Sequence, residues 1–175
     1  MEADRARFEA IFRQHYGAVV RYAVRRVGRD AADEVVNETF LAAWRRLEDV
    51  PDNALPWLFG IARKIAANEL RRRERQLRLG ERMSSHAETA TGDHAEFVSE
   101  ALRVRAAMNA LSERDREVLS LTAWDRLDST DAARALGCSV AAYKVRLHRA
   151  RRRLAALLIT SDVRLDQLIT QGDPA

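Results

Sequence analysis

From Ser139 to Ile159 the chain carries no acidic residue, while Val140, Tyr143, Leu147, Ala150, Leu154, Leu157 and Leu158 recur every three or four positions. That spacing gathers the apolar set on one arc of an α-helix, so the stretch must bury one face and expose the other. The opposite arc holds Ala141, Ala142, Val145, His148, Arg149 and Arg152, flanked by Lys144 and Arg146. A solvated helix usually interleaves acids with its bases. Two readings remain open at this point: an arginine-coated surface helix, or a helix laid against nucleic acid. In the second, small residues approach a groove floor while flanking cations reach phosphates.

The remaining sequence is also built for helices. Hydrophobic residues make up 47% of the 175 positions, with only 7 glycines and 3 prolines to interrupt them. That composition supports packed cores and excludes a disordered chain. The charge is not evenly spread. Residues 1–80 hold 16 basic against 12 acidic side chains, and residues 81–100 hold 1 against 5. Residues 101–160 hold 12 against 6, and the last fifteen hold 1 against 3. Two basic blocks flanking an acidic connector point to anionic partners for the blocks. Cys138 is the single cysteine, which rules out an internal disulfide and a cysteine-based zinc site. The first residues are charged and no apolar run reaches membrane-spanning length, so a cytoplasmic protein without membrane insertion is expected.

The periodicity predicts a first helix over about residues 4–27, carried by Phe8, Ile11, Phe12, Val19, Val20, Ala23 and Val27 and closed at Gly28. A second runs from Asp30 to about Leu47 on Val35, Val36, Phe40, Leu41, Trp44 and Leu47. Two prolines and an Asp-Asn pair make EDVPDNALP a loop. A third helix starts near Pro56, with Trp57, Leu58, Ile61, Ala62 and Ile65 on its buried arc. Its other side carries Gly60, Lys64, Ala67, Arg71, Arg75 and Arg78, with Asn68 at the margin. On the second helix Asp33, Glu34, Asn37 and Glu38 form an acidic, polar patch, which by composition alone is a solubilising surface. Residues 80–95 show no period and read as a flexible linker.

Four helical pieces follow: AEFVSEALRVRAAMNAL, then ERDREVLSLTAW behind a Ser112 cap, then STDAARALG closed by Gly137, then the basic helix behind Ser139. A short helix, a glycine turn and a second helix make the helix-turn-helix outline, which many helical hairpins share. The fold class expected is all-α: two small helical domains joined by a flexible linker. Their bounds are 1–79 and 97–160, with a linker over 80–96 and a tail over 161–175. No phosphate loop, nucleophile elbow or ligand cluster is visible, and the four histidines are dispersed. No catalytic residue, metal site or cofactor is therefore expected, and nothing argues for an enzyme.

Two segments together resemble one known family. DAADEVVNETFLAAWRRL with PWLFGIARKIAANELRRRER is similar to the second region of bacterial extracytoplasmic-function sigma factors, of the sigma-70 family. ALSERDREVLSLTAWDRLDSTDAARALGCSVAAYKVRLHRARRRLAALL is similar to their fourth region. Their order, the connector and the length also fit, and the resemblance covers about residues 8–158. It implies an initiation subunit that directs core RNA polymerase to promoters, with region 2 recognising and melting the −10 element. The region 4 helix-turn-helix would recognise the −35 element.

Position by position, the resemblance places Asp33, Asn37 and Glu38 at the polymerase clamp. It places Lys64, Asn68, Arg71 and Arg75 beside the single-stranded −10 element, where the Val50–Leu55 loop helps hold an unstacked base. On the −35 duplex it places Ala142, Lys144, Val145, Arg146, His148, Arg149 and Arg152. Implied partners are the clamp and flap of core polymerase, promoter DNA and an anti-sigma factor. The chain departs from the family pattern in four places, one of them the turn segment DRLDSTDAARALG, which lacks the usual Glu-Ile-Ala pattern. It has Asn37 where glutamine is usual and Lys64 where asparagine is frequent, and Ala-Ala-Tyr-Lys-Val-Arg at 141–146 replaces a common Gly-Thr-Val-Lys-Ser-Arg run. Val145 thereby offers only apolar contact, for instance to a thymine methyl. The rival readings are a stand-alone helix-turn-helix regulator using residues 97–158 and a helical adaptor or RNA-binding protein with generic arginines.

Overall fold

A computed structural model describes residues 2–80 and 97–170. The linker expected over 80–96 lies, beyond Gly80, outside the described residues, as does the last part of the tail. The described residues form helices α1 (Glu2–Val27), α2 (Arg29–Arg45), α3 (Ala54–Gly80), α4 (Phe97–Ala110), α5 (Glu113–Ala123), α6 (Ser129–Leu136) and α7 (Val140–Thr170), with a 3-10 turn at Leu47–Asp49. They fall into two compact units. The first contains α1, α2, α3 and the 130–139 stretch with α6; the second contains α4, α5 and α7.

The first unit is organised by a three-helix core. Val19, Tyr22, Ala23, Val35, Val36, Leu58, Phe59, Ala62 and Ala66 are all buried. Tyr22 and Phe59 stack at a centroid distance of 4.9 Å, joining α1 to α3. Gly28 adopts φ +80°, which lets the chain reverse between α1 and α2 with no residue to spare. Two arginines tie distant backbone into this body. Arg7 Nη2 donates to the Val50 carbonyl at 2.6 Å, and Arg73 Nη1 donates to the Val27 carbonyl at 2.8 Å, at the C-terminal end of α1.

Three details differ from the sequence expectation. The third helix begins at Ala54 rather than at Pro56. The first-turn N–H groups of a helix need no intrahelical partner, so Pro56 sits in that turn at no cost and Ala54 is already buried. Its buried arc is rotated, with Phe59 and Ala66 inside while Trp57, Ile61 and Ile65 are half-buried. On α2, Leu41 and Trp44 stay 39% and 45% exposed, because Val35, Val36, Phe40 and Ala43 already fill the core-facing side.

In the second unit, Ser112 caps α5 by accepting a hydrogen bond from the Asp115 amide at 3.2 Å. Arg116 closes the preceding α4 by donating to the carbonyls of Met108, Asn109 and Leu111. Tyr143 is fully buried between α5 and α7. Its hydroxyl is paired with Thr122 Oγ1 and donates to the Val118 carbonyl at 3.1 Å. Arg153 Nη1 meets Asp115 Oδ2 at 2.6 Å and fastens the same two helices a few turns along. α7 does not stop where its basic stretch stops but continues to Thr170, so the first ten residues of the expected tail are helical. The first glycine and proline after Ile159 are Gly172 and Pro174, so nothing earlier breaks the helix.

Replacing Tyr143 by Phe removes a buried hydroxyl and strands its acceptor. Unfolding in urea should show a loss of about 1–2 kcal/mol with an unchanged m value. The pH dependence of the same unit is set by Asp115. Burial raises its pKa, but the hydrogen bond with Ser112 and the Arg153 guanidinium outweigh that and hold it below the usual carboxylate value of 3.8. A depressed folded pKa gives stability that is complete above the unfolded value and lost as pH falls through the folded one. Urea midpoints of the wild type should therefore decline below about pH 4, and Asp115→Asn should flatten that acid limb.

Candidate nucleic-acid interface

The face of α7 follows from the rotation that packing imposes on it. Tyr143 and Ala150 are 0% exposed and Leu147 is buried, which turns Lys144, Val145, Arg146, His148, Arg149 and Arg152 to the opposite side. All six are exposed, and Val145 presents half of its surface in the middle of the strip. Ala142, expected with them, is half-buried at the edge of the face. Upstream of α7, α6 ends in a two-bond glycine cap: the Gly137 amide donates to the Arg134 carbonyl at 3.1 Å and the Cys138 amide to the Ala133 carbonyl at 3.0 Å. Gly137 has φ +63°, a conformation that costs a side-chain-bearing residue about 1–2 kcal/mol.

In the first unit α3 carries the second basic strip. Lys64, Asn68, Arg71 and Arg75 are exposed at intervals of four, three and four residues, so they lie along one side over about 16 Å of helix. Arg71 donates to the Asn68 side-chain oxygen, and Arg75 Nε donates to the Arg71 carbonyl at 3.3 Å. Glu69 draws the neighbouring arginines off this strip: Arg73 Nε lies 3.1 Å and Arg72 Nε 3.8 Å from its carboxylate. Arg72 also lies 3.7 Å from Glu34 on α2.

Asp33, Asn37 and Glu38 are exposed together on α2, one turn apart. The loop before α3 is shorter than expected, comprising 50–53. Within it Val50 is buried and Asn53 donates to Asp131 of α6 at 2.9 Å. Just inside α3, the half-buried Trp57 carries the Arg46 guanidinium 5.7 Å from its ring centroid. The structure thus gathers each expected group on its own helix: the acidic set on α2, the mixed set on α3 and the basic set on α7.

Sequence reading missed an aromatic ridge. Phe8, Phe12 and Tyr16 of α1 meet Phe40 and Trp44 of α2 at centroid distances of 4.7 to 6.5 Å. Phe12 and Tyr16 remain 37% and 42% exposed. Their four-residue spacing was visible in the sequence, but nothing there showed that the core is filled without them. Among the described residues, no group of three or more His, Cys, Asp or Glu is placed to hold a metal ion, and no helix is long and apolar enough to cross a membrane.

An acidic, polar patch on α2, a basic stripe on α3 carrying one amide, and an acid-free stretch over 139–159 behind a glycine turn are features of a helical protein suited to an anionic partner such as DNA. Comparison with known proteins narrows the class. The family described as Sigma-70 region 2 matches residues 11–76, and Sigma-70, region 4 matches residues 101–154. The chain is 34% identical over 164 residues to the RNA polymerase sigma factor NccH of Alcaligenes xylosoxydans xylosoxydans, covering 86% of each chain. It is 32% identical over 161 residues to the ECF RNA polymerase sigma factor SigL of Mycobacterium tuberculosis, covering 89% of this chain and 91% of that one.

Solved structures agree. The sigma factor RpoE of Bartonella quintana, determined with the anti-sigma factor NepR, is 27% identical with a TM-score of 0.66 over 86% of this chain and 96% of that one. CnrH, determined with the cytosolic domain of CnrY, is 30% identical with a TM-score of 0.59 over 87% and 88%. The chain belongs to the sigma-70 family, in its extracytoplasmic-function group, and is an RNA polymerase sigma factor. A regulator built on residues 97–158 alone leaves the region 2 match unexplained.

Cations that contact phosphate make duplex affinity salt-dependent. Arg149→Ala should lower the slope of log K against log salt by about one, read by fluorescence anisotropy with a −35 duplex.

Proposed function

We propose that this sigma factor divides promoter recognition between the strips on α3 and α7 and docks on the polymerase clamp through α2. The observation that carries the reading is the division of α7: a fully buried Tyr143 sets an acid-free row of exposed side chains on the other side, with Ala142 half-buried at its edge. In that row Lys144, Arg146, Arg149 and Arg152 reach phosphates or guanine edges of the −35 duplex, His148 lies among them, and Ala142 and Val145 approach the groove floor. On α3, Lys64, Arg71 and Arg75 track the backbone of the −10 strand, and Asn68 supplies the one amide able to read a base edge. The 50–53 loop and the start of α3 receive an unstacked base.

Asp33, Asn37 and Glu38 offer carboxylates and an amide to a basic, helical clamp surface. The domain bounds 1–79 and 97–160 follow from this assignment, with the intervening residues spanning the distance between promoter elements. The protein acts in the cytoplasm and contributes binding rather than catalysis, since the polymerase supplies the chemistry. An anti-sigma factor holding it inactive is supported by the two solved relatives, each determined with such a partner or with a partner's cytosolic domain.

Transcription in vitro with purified core polymerase on a promoter library tests this directly. The wild type should impose start sites that core alone does not, and absence of such selection overturns the proposal. Arg149→Ala should reduce −35-dependent transcripts about tenfold, the size of one lost base or phosphate contact, without weakening core association. Asp33→Ala with Glu38→Ala should do the opposite, lowering core association while leaving affinity for a −35 duplex unchanged.

A further inference from the structure

Val145 is the sixth residue of α7, an apolar side chain standing 50% exposed in a row otherwise made of cations and a histidine. Viewed down the helix axis it marks the middle of that row. Lys144 and Arg146 project about 100° to either side, while Ala141 and Arg149, one turn before and after, lie within about 40° of it. Helical side chains lean towards the N-terminus, so Val145 leans over the turn of Ala141 and Ala142, which carry only methyl groups. Its neighbours on that side are short, and half of its own surface is open. Local propensity does not place it there, since β-branched valine is a poorer helix former than the alanines and arginines around it.

We propose that Val145 is a specificity residue, selecting thymine at one position of the −35 element by packing against the C5-methyl group. The inference rests on the assignment of α7 to the −35 duplex and names the base that its apolar centre reads. The first turns of a recognition helix are the part that meets base edges. On those edges the thymine methyl is the apolar group, and the rest are hydrogen-bond donors and acceptors. Valine is neither donor nor acceptor. Against the cytosine N4 amine, guanine O6 or adenine N6 it displaces water and returns no hydrogen bond. Against a thymine methyl it takes two apolar surfaces out of water at once. Lys144 and Arg146 cannot make this choice where they meet phosphates, which carry no sequence information. A serine, common at this position in the family, both donates and accepts; valine restricts the position to one base.

The test uses holoenzyme assembled from the full-length chain and core polymerase. Promoter fragments carry the −35 sequence most enriched from a library randomised over that element. Each thymine of the element, on either strand, is replaced singly by deoxyuridine, which removes the methyl and leaves every hydrogen-bonding group in place. At one position uracil should weaken binding about fourfold, the weight of one buried methyl group. Cytosine there should bind more weakly than thymine, and 5-methylcytosine should regain about fourfold over cytosine. Val145→Ala and Val145→Ser should each bind the thymine and uracil fragments alike. Both variants should fold, because Val145 is half exposed and neither replacement breaks a helix. Arg149→Ala should weaken both fragments and keep the ratio between them. Added salt should lower all the affinities and leave the thymine-to-uracil ratio of the wild type unchanged, as an uncharged contact requires.

Equal wild-type binding of thymine and uracil fragments at every position overturns the proposal. So does an enriched −35 sequence without thymine, or a ratio that collapses as salt is raised. Discrimination that survives in Val145→Ala also overturns it, handing the methyl to another side chain or to DNA shape. The underlying assignment fails in a different arm. Absence of any enrichment at −35, or an Arg149→Ala holoenzyme that binds both fragments as tightly as the wild type, removes α7 from the duplex and the inference with it.

Discussion

Tyr143 fixes the functional geometry of the second unit. Its ring is fully buried and its hydroxyl is held by Thr122 and the Val118 carbonyl, so α7 cannot roll about its axis without breaking both contacts. Each residue of a helix advances about 100°, and one pinned position therefore determines where all the others point. Leu147 and Ala150 extend the buried line, and the Arg153–Asp115 pair holds it further along. Lys144, Val145, Arg146, Arg149 and Arg152 are aimed outward as a consequence of packing on the opposite side. The exposed basic row of this helix is thus a by-product of how a tyrosine satisfies its hydroxyl.

In the first unit the sorting agent is an acid. Residues 71–75 read Arg-Arg-Arg-Glu-Arg; periodicity places Arg71 and Arg75 on the outer arc, but it does not show what holds Arg72 and Arg73. Glu69, largely buried, separates them by taking Arg72 and Arg73 into ion pairs, and Arg73 goes on to the carbonyl end of α1. Arg73 thereby ties α3 to α1, while Arg72 reaches Glu34 on α2. Arg71 and Arg75, on the other side, stay in line with Lys64 and Asn68. A single partly desolvated carboxylate thereby assigns two arginines to structure and leaves two exposed beside Lys64 and Asn68.

Much of this was legible because helical periodicity and charge are one-dimensional signals. The seven helices, the Ser112 cap, the Gly28 and Gly137 breaks and the outward face of α7 are all read from spacing. What spacing cannot do is choose among too many apolar residues. Trp57, Leu58, Phe59, Gly60 and Ile61 are nearly contiguous, so several arcs are equally apolar, and the stack of Phe59 on Tyr22 decides between them. The same excess hid the exposure of Leu41 and Trp44. They match the helical pattern of α2 as well as Val36 and Phe40 do, and only a full core excludes them. The −10, −35 and clamp positions came from resemblance to a family, since exposed Asn68 or Asp33 alone is indistinguishable from ordinary surface.

The arginine-rich surface also constrains what can regulate this protein. Exposed ion pairs are individually weak and screened by salt, so a partner that met only the arginines would compete poorly with a polyanionic promoter. Specific inhibition needs apolar area that DNA does not use. On the first unit such area is concentrated where Phe12, Tyr16, Leu41 and Trp44 stand exposed, beside the arginines of α1 and away from the Lys64–Arg75 strip on α3. The exposed apolar surface thus lies on the α1–α2 pair and the Lys64–Arg75 strip on α3.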